Sequence, residues 1–299
     1  MNAKRILIGA SATLAFAATA VGVFAGVETS AYDASLDKVY DVPLPELARS
    51  SDPAVIERGK HVVDGLAGCA DKNCHGADLG GGYTIELGPL GRTTGTNISA
   101  GGLGVAYTDG ELARIIRHGV KRDGRSVRFM PVPDFRWLPD EDVVAAISYM
   151  RSLPAVDRPN GPTQFSALAK VLDRQDKFVI DVARRIDHGA FVAPPPPSPT
   201  AEYGRFLANG CTSCHGKHLS GGPIPGAPST LPVPLDLTPH DAGLGHWTAA
   251  DFDRAMTLGI RPDGRKLDPF MMTGRLNDTE KRALWAYLQT IPPMPFGRR

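Results

Sequence analysis

The chain has 299 residues, with 33 Lys+Arg against 32 Asp+Glu and a formal net charge of +1, so it has no basic footprint for nucleic acid. Its 42% hydrophobic content, 33 Gly and 26 Pro describe a loop-rich globular chain of a size that favours two domains. All four cysteines lie in two short clusters, which leaves none for a disulfide between distant segments.

Taken in order, the chain opens with Lys4 and Arg5 ahead of an uncharged run from Ile6 to Val27. Positive flank, apolar stretch and small residues form an export signal, with Val23-Phe24-Ala25 as its cleavage site. The run is also long enough to serve as an uncleaved inner-membrane anchor. Either way, the rest of the chain is expected in the periplasm, and residues 28–50, with Pro43 and Pro45, read as an extended tether.

Residues 51–155 read as the first domain. Ser51-Asp52-Pro53 opens a helix, with a capping side chain ahead of a first-turn proline. Cys69-Ala70-Asp71-Lys72-Asn73-Cys74-His75 follows. Alone, this C-x4-C-H is open to three readings: a local disulfide, a group attached through Cys74 only, or one attached through both thiols. Thr108-x-x-Glu111 is a capping box for a helix that stops at Gly119, and a final helix is expected from Asp140 to Leu153.

Residues 156–198 read as a linker. It holds an amphipathic helix from about Gln164 to Asp187 and a stiff spacer at Pro194–Pro197.

Residues 199–299 read as a second domain, organised around Cys211-Thr212-Ser213-Cys214-His215. C-x-x-C-H is the attachment signature of a c-type haem: two thiols reach the two vinyl groups of one porphyrin, and the adjacent imidazole binds its iron. Zinc needs two further ligands, and a redox dithiol has no use for the histidine.

The first cluster then gains its meaning by comparison. His75-Gly-Ala-Asp-Leu-Gly-Gly-Gly matches His215-Gly-Lys-His-Leu-Ser-Gly-Gly, with the histidines 140 residues apart. The same offset pairs Tyr107-Thr108 with Trp247-Thr248, Gly119 with Gly259, and Asp123-Gly124-Arg125 with Asp263-Gly264-Arg265. A self-match at one period across a hundred residues marks a duplicated unit. The second unit's helices are expected from Thr248 to Gly259 and from Asp278 to Gln289.

The iron's sixth ligand is sought among the methionines. Met130 and Met271 hold matching places before the last helix of each unit, with Met272 the alternative to Met271. A neutral thioether suits low-spin haem iron. Met150 and Met256 fall on helices and read as core. His118, His240 and His246 are the other sixth-ligand candidates, and His61, His188 and His218 read as surface or core residues. Arg125 and Arg265 follow matching Asp-Gly turns, where each is either a propionate partner or a solvated turn arginine.

These motifs, with Asn97-Ile98-Ser99, Met130-Pro131-Val132-Pro133 and Leu138-Pro139-Asp140-Glu141-Asp142, resemble those of bacterial di-haem c-type cytochromes. They are also similar to the cytochrome c subunits of alcohol and gluconate-type dehydrogenases. The resemblance covers about residues 55–155 and 199–296. It implies a mostly α fold of two tandem class I cytochrome c domains wrapped by Gly/Pro-rich loops. It further implies two covalent haem c groups at Cys69, Cys74, Cys211 and Cys214, with metal ligands His75, Met130, His215 and Met271. The function it implies is electron transfer between a dehydrogenase or quinol-oxidising complex and an oxidase or soluble cytochrome, with no catalytic residue of its own. The alternative is an enzyme on the same scaffold, of thiosulfate dehydrogenase or di-haem peroxidase type.

Overall fold

The computed structural model describes residues 3–102, 107–189, 193–225, 227, 231–271 and 273–299; the side chains of 3–12 and 14 lie outside the description. The first helix, α1 (Ala3–Ser35), runs past the expected tether boundary. No glycine or proline interrupts Val27–Ser35, so the backbone ladder continues until the turn at Leu36-Asp37. Its far end is docked. Tyr32 is buried with Leu87, Leu90, Ala169 and Ile180, Lys170 Nζ reaches Asp33 at 2.7 Å, and Ser35 Oγ donates to Asp181 at 3.0 Å. Phe16, Val21 and Val23, further back on α1, face outward. Among the described residues no helix is long and apolar enough to cross a membrane. The extended stretch beyond α1 is not free either: Tyr40 and Val42 bury against Val120 and Ala183.

α2 (Pro53–His61) begins where expected, with Asp52 accepting from the Ala54 N–H at 2.8 Å. A short π-helical turn, Val62–Leu66, carries the chain to the first cysteine. Strands β1 (Thr84–Glu86) and β2 (Gly91–Thr94) pair antiparallel, Thr84 opposite Thr94. α3 (Asp109–His118) has its Thr108/Glu111 capping box and stops at Gly119 in the left-handed region. The short α4 (Val132–Phe135) and the longer α5 (Asp140–Ser152) complete the first half.

The segment joining the halves departs from expectation. A helix over Gln164–Asp187 is reduced to α6 (Ala167–Arg174). β3 (Gln164–Phe165) instead adds to the sheet beside β2. Beyond α6 the fully buried Asp173 carboxylate accepts from the Ile180 and Asp181 N–H groups, at 2.7 and 3.2 Å, and so holds the chain extended. The backbones of Asp181 and Arg128 pair antiparallel, Phe129 N–H donates to Ile180 O at 2.9 Å, and Phe165 and Phe178 close on the Phe129 ring. The stretch is a strap bound across the first half.

The second half follows with α7 (Ala201–Leu207), α8 (Thr212–His215), α9 (Ala249–Leu258) and α10 (Asp278–Leu288). Asn277, rather than Asp278, caps α10, in a capping box with Glu280.

One helix crossing occurs twice. A Cβ added to Gly59 of α2 would stand 1.9 Å from Ala145 O of α5, and one on Gly204 of α7 would stand 1.9 Å from Ala283 O of α10. Only glycine lets two backbones approach this closely. The two crossings do not form separate cores. Val62, Leu112, Phe135 and Ile147 from the first half join Tyr203, Leu207, Phe252 and Leu284 from the second in one cluster. Across this joint His61 Nε2 meets the buried Glu280 carboxylate at 2.8 Å.

Two matched histidine sites

Each cysteine-histidine segment ends in the same loop. Gly76 and Gly216 take positive φ after the histidine, as do Leu79 and Leu219 at 54° and 59°. Left-handed backbone at a leucine is strained, and here it recurs at equivalent positions. The Gly81 and Gly221 N–H groups fold back to the His75 and His215 carbonyls, at 2.8 and 2.9 Å. Each loop is covered by the chain that follows its half's last long helix: Arg158 reaches Gly81 O at 3.0 Å, and Arg299 reaches Gly222 O at 2.7 Å.

The imidazoles are oriented alike. His75 Nδ1 is 2.7 Å from Thr96 O, and His215 Nδ1 is 2.7 Å from Leu235 O. Since a carbonyl only accepts, Nδ1 carries the proton and Nε2 keeps its lone pair, the tautomer required of a metal ligand. Burial holds both rings below the usual histidine range, so they are neutral. The thiols are neutral as well: burial pushes Cys69 up to about 12, Cys74 to about 11 and Cys211 to about 12. All four cysteines are free thiols, and no Cys69–Cys74 disulfide is formed. Among the described residues no group of three or more His, Cys, Asp or Glu is placed to hold a metal ion.

The second site opens on a cavity of about 330 Å³. Cys214 and His215 stand on its wall, with Leu244, Trp247, Phe252 and Met271 among its apolar lining. Met256, expected as plain core, also reaches this wall from α9. Met130 is half-buried against the shared core. It follows Phe129, whose φ of 62° is held by the strap. Met272 lies outside the described residues.

The competing histidines are engaged elsewhere. His118 faces His188, with Nδ1 to Nδ1 at 3.2 Å. His240 accepts from the Ala242 N–H at 3.1 Å, and the exposed His246 lies 3.6 Å from Asp241.

Arg125 and Arg265, read as propionate partners or solvated turn arginines, both sit on acidic neighbours. Arg125 lies 3.3 Å from Asp37, and Arg265 donates from Nε and Nη2 to the one oxygen Oδ2 of Asp263 in its own turn, at 2.8 and 2.6 Å; both face solvent. Arg261 and Lys266 are the cations among the described residues lining the second cavity; Arg261 Nη2 lies 3.6 Å from Asp263, and its buried Nε has no partner. An orphaned guanidinium N–H on an apolar cavity is a fit for an anionic substituent such as a haem propionate. The repeat held the signal, because Lys121 occupies the matching place in the first half. Asp236, buried on the same wall with Oδ2 unpartnered, carried no such signal.

Comparison with known proteins agrees with this geometry. Residues 201–292 match the family described as cytochrome c. The chain carries a c-type cytochrome domain. It is 27% identical to the fructose dehydrogenase cytochrome subunit of Gluconobacter japonicus, over 79% of this chain and 52% of that one. It is also 27% identical to the cytochrome c subunit of alcohol dehydrogenase (quinone) from Gluconobacter oxydans, over 84% of this chain and 58% of the relative. A diheme cytochrome c-type protein of Cereibacter sphaeroides is 27% identical over 75% of this chain and 82% of its own length. The cytochrome domain thus spans part of a chain homologous to the cytochrome subunits of bacterial dehydrogenase complexes, and this chain covers just over half the length of the dehydrogenase subunits it matches.

Proposed function

We propose that the chain is a di-haem c-type cytochrome that carries electrons from a dehydrogenase or quinol-oxidising complex to a downstream oxidase or soluble cytochrome in the periplasm. The supporting observation is the repeated histidine: twice, an imidazole beside a cysteine pair is held by a backbone carbonyl so that its free nitrogen is a ligand. Residues 51–155 and 199–299 are then two class I cytochrome c domains. Each bound haem supplies a one-electron iron couple. Cys69 and Cys74, and Cys211 and Cys214, hold the porphyrins as thioethers. His75 and His215 would ligate the irons through Nε2, and Met130 and Met271 would supply the thioether ligands. Leu244, Trp247 and Phe252 keep water off the second porphyrin, and Arg261 takes a propionate. With an imidazole and a thioether both supplied by the chain, the iron would have no place left for a substrate, and the chain would act as a relay. The N-terminal run directs export, as a cleaved signal or an anchor.

Intact mass of the exported protein, combined with a pyridine haemochrome assay, tests this. Two covalent haems per chain are expected, with both cysteines of each pair modified. A colourless product, or one haem per chain, refutes the reading.

A further inference from the structure

The seam between the halves plays no part in the proposal above, and its contacts are reciprocal. The residue four places after each methionine, Asp134 after Met130 and Arg275 after Met271, crosses to the other half. Asp134 accepts a hydrogen bond from Ser213, two places after Cys211. Arg275 Nη2 meets Asp71 Oδ2 at 2.6 Å, two places after Cys69. The backbone repeats the match: a Cβ on Gly210 would lie 3.7 Å from Asp134 O, and one on Gly65 would lie 2.6 Å from Arg275 O. Gly210 directly precedes Cys211, and Gly65 lies four residues before Cys69. The chemistry of the two contacts differs, carboxyl to hydroxyl on one side and an ion pair on the other, while their positions correspond.

Resting on the two-haem reading, we propose that Asp134 and Arg275 are positioning residues for electron exchange between the two halves, each seating its own methionine loop on the other half's cysteine-histidine segment. The route from Met130 to Cys214 is then a short peptide stretch and one hydrogen bond. A single electron crosses: the centre that gives it goes from ferrous to ferric, the centre that takes it goes from ferric to ferrous, and no proton moves. The ion pair at Arg275 and Asp71 offers the corresponding route from Met271 to Cys74.

The test is crosswise. Asp134→Ala and Arg275→Gln are made in the full protein, and the paramagnetically shifted proton resonances of the oxidised form are assigned half by half. Asp134→Ala should displace the resonances of the centre at His215, and Arg275→Gln those of the centre at His75, with haem content unchanged. Exchange between the centres after flash reduction should slow in both variants. Ser213→Ala, which spares the carboxyl, should slow exchange as Asp134→Ala does. Displacements confined to the half that carries the substitution, or an unchanged exchange rate, overturn the proposal. A parent protein with fewer than two haems overturns both this proposal and the reading beneath it, and the haem count distinguishes that failure from the others.

Discussion

Gly204→Ala puts the helix crossing of the second half to a direct test. The new Cβ would stand 1.9 Å from Ala283 O, 2.5 Å from its carbonyl carbon and 2.8 Å from Tyr287 Cβ. The obstacle is mainly backbone, so no rotamer change relieves it and α7 and α10 must move apart. Overpacking of this kind costs about 3 kcal/mol at the upper end of its usual range. Alanine's better helix propensity offsets about 1 kcal/mol of that. The net loss of about 2 kcal/mol corresponds to a fall in Tm of about 4–8 °C for a chain of this order of size. Gly59→Ala meets Ala145 O at the same 1.9 Å and should behave alike. Gly26 on α1 has nothing within 4 Å, so Gly26→Ala, in a chain that retains α1, should be neutral or slightly stabilising. Thermal unfolding followed by circular dichroism reads all three. A Gly204→Ala protein that melts with the parent would show that the helices are not in backbone contact there.

Three other outcomes are expected. Asp173→Ala removes a carboxylate that anchors two N–H groups and lies 3.4 Å from Arg184 and 3.3 Å from Arg185. Breaking such a buried pair costs about 3–5 kcal/mol, and hydrogen exchange should rise across residues 163–186 first; uniform protection there would count against the strap. Burial pushes the Asp134 carboxyl up from 3.8 to about 7, so between those pH values the folded chain holds a proton that the unfolded chain has lost. Its stabilising contribution is therefore full below pH 3.8 and lost as pH rises through 7. Urea midpoints at pH 5 and pH 8 should show that loss in the parent and lack this component in Asp134→Asn. Finally, the reduced parent should be nearly inert to carbon monoxide, whereas Met130→Ala and Met271→Ala should each expose one reactive iron; a reactive parent would favour the enzymatic alternative.

Local signals in the sequence were read well. The Thr108 and Thr248 capping boxes and the Gly119 and Gly259 stops depend on side chains within a few residues of the backbone they satisfy. The internal sequence repeat was legible because glycines under the same backbone constraint, Gly76 and Gly216 or Gly119 and Gly259, recur at one spacing. What escaped reading was decided by distant partners. Nothing near Lys177–Asp181 announces that Asp173 and Phe129 will hold it extended, so the apolar spacing there was taken for a helix. The run from Glu28 to Ser50 was read as unattached because its anchors, Lys170, Asp181 and Val120, lie far along the chain.

The proline run Pro194–Pro197 reads as a stiff spacer, and the apolar interior on either side of it is continuous from Val62 to Leu288. Proteolytic nicking at those prolines would sever the covalent thread and leave a single particle on a sizing column. Expressed alone, either fragment would show water a face that was made to be covered by its sibling, and it should aggregate until the other fragment is supplied.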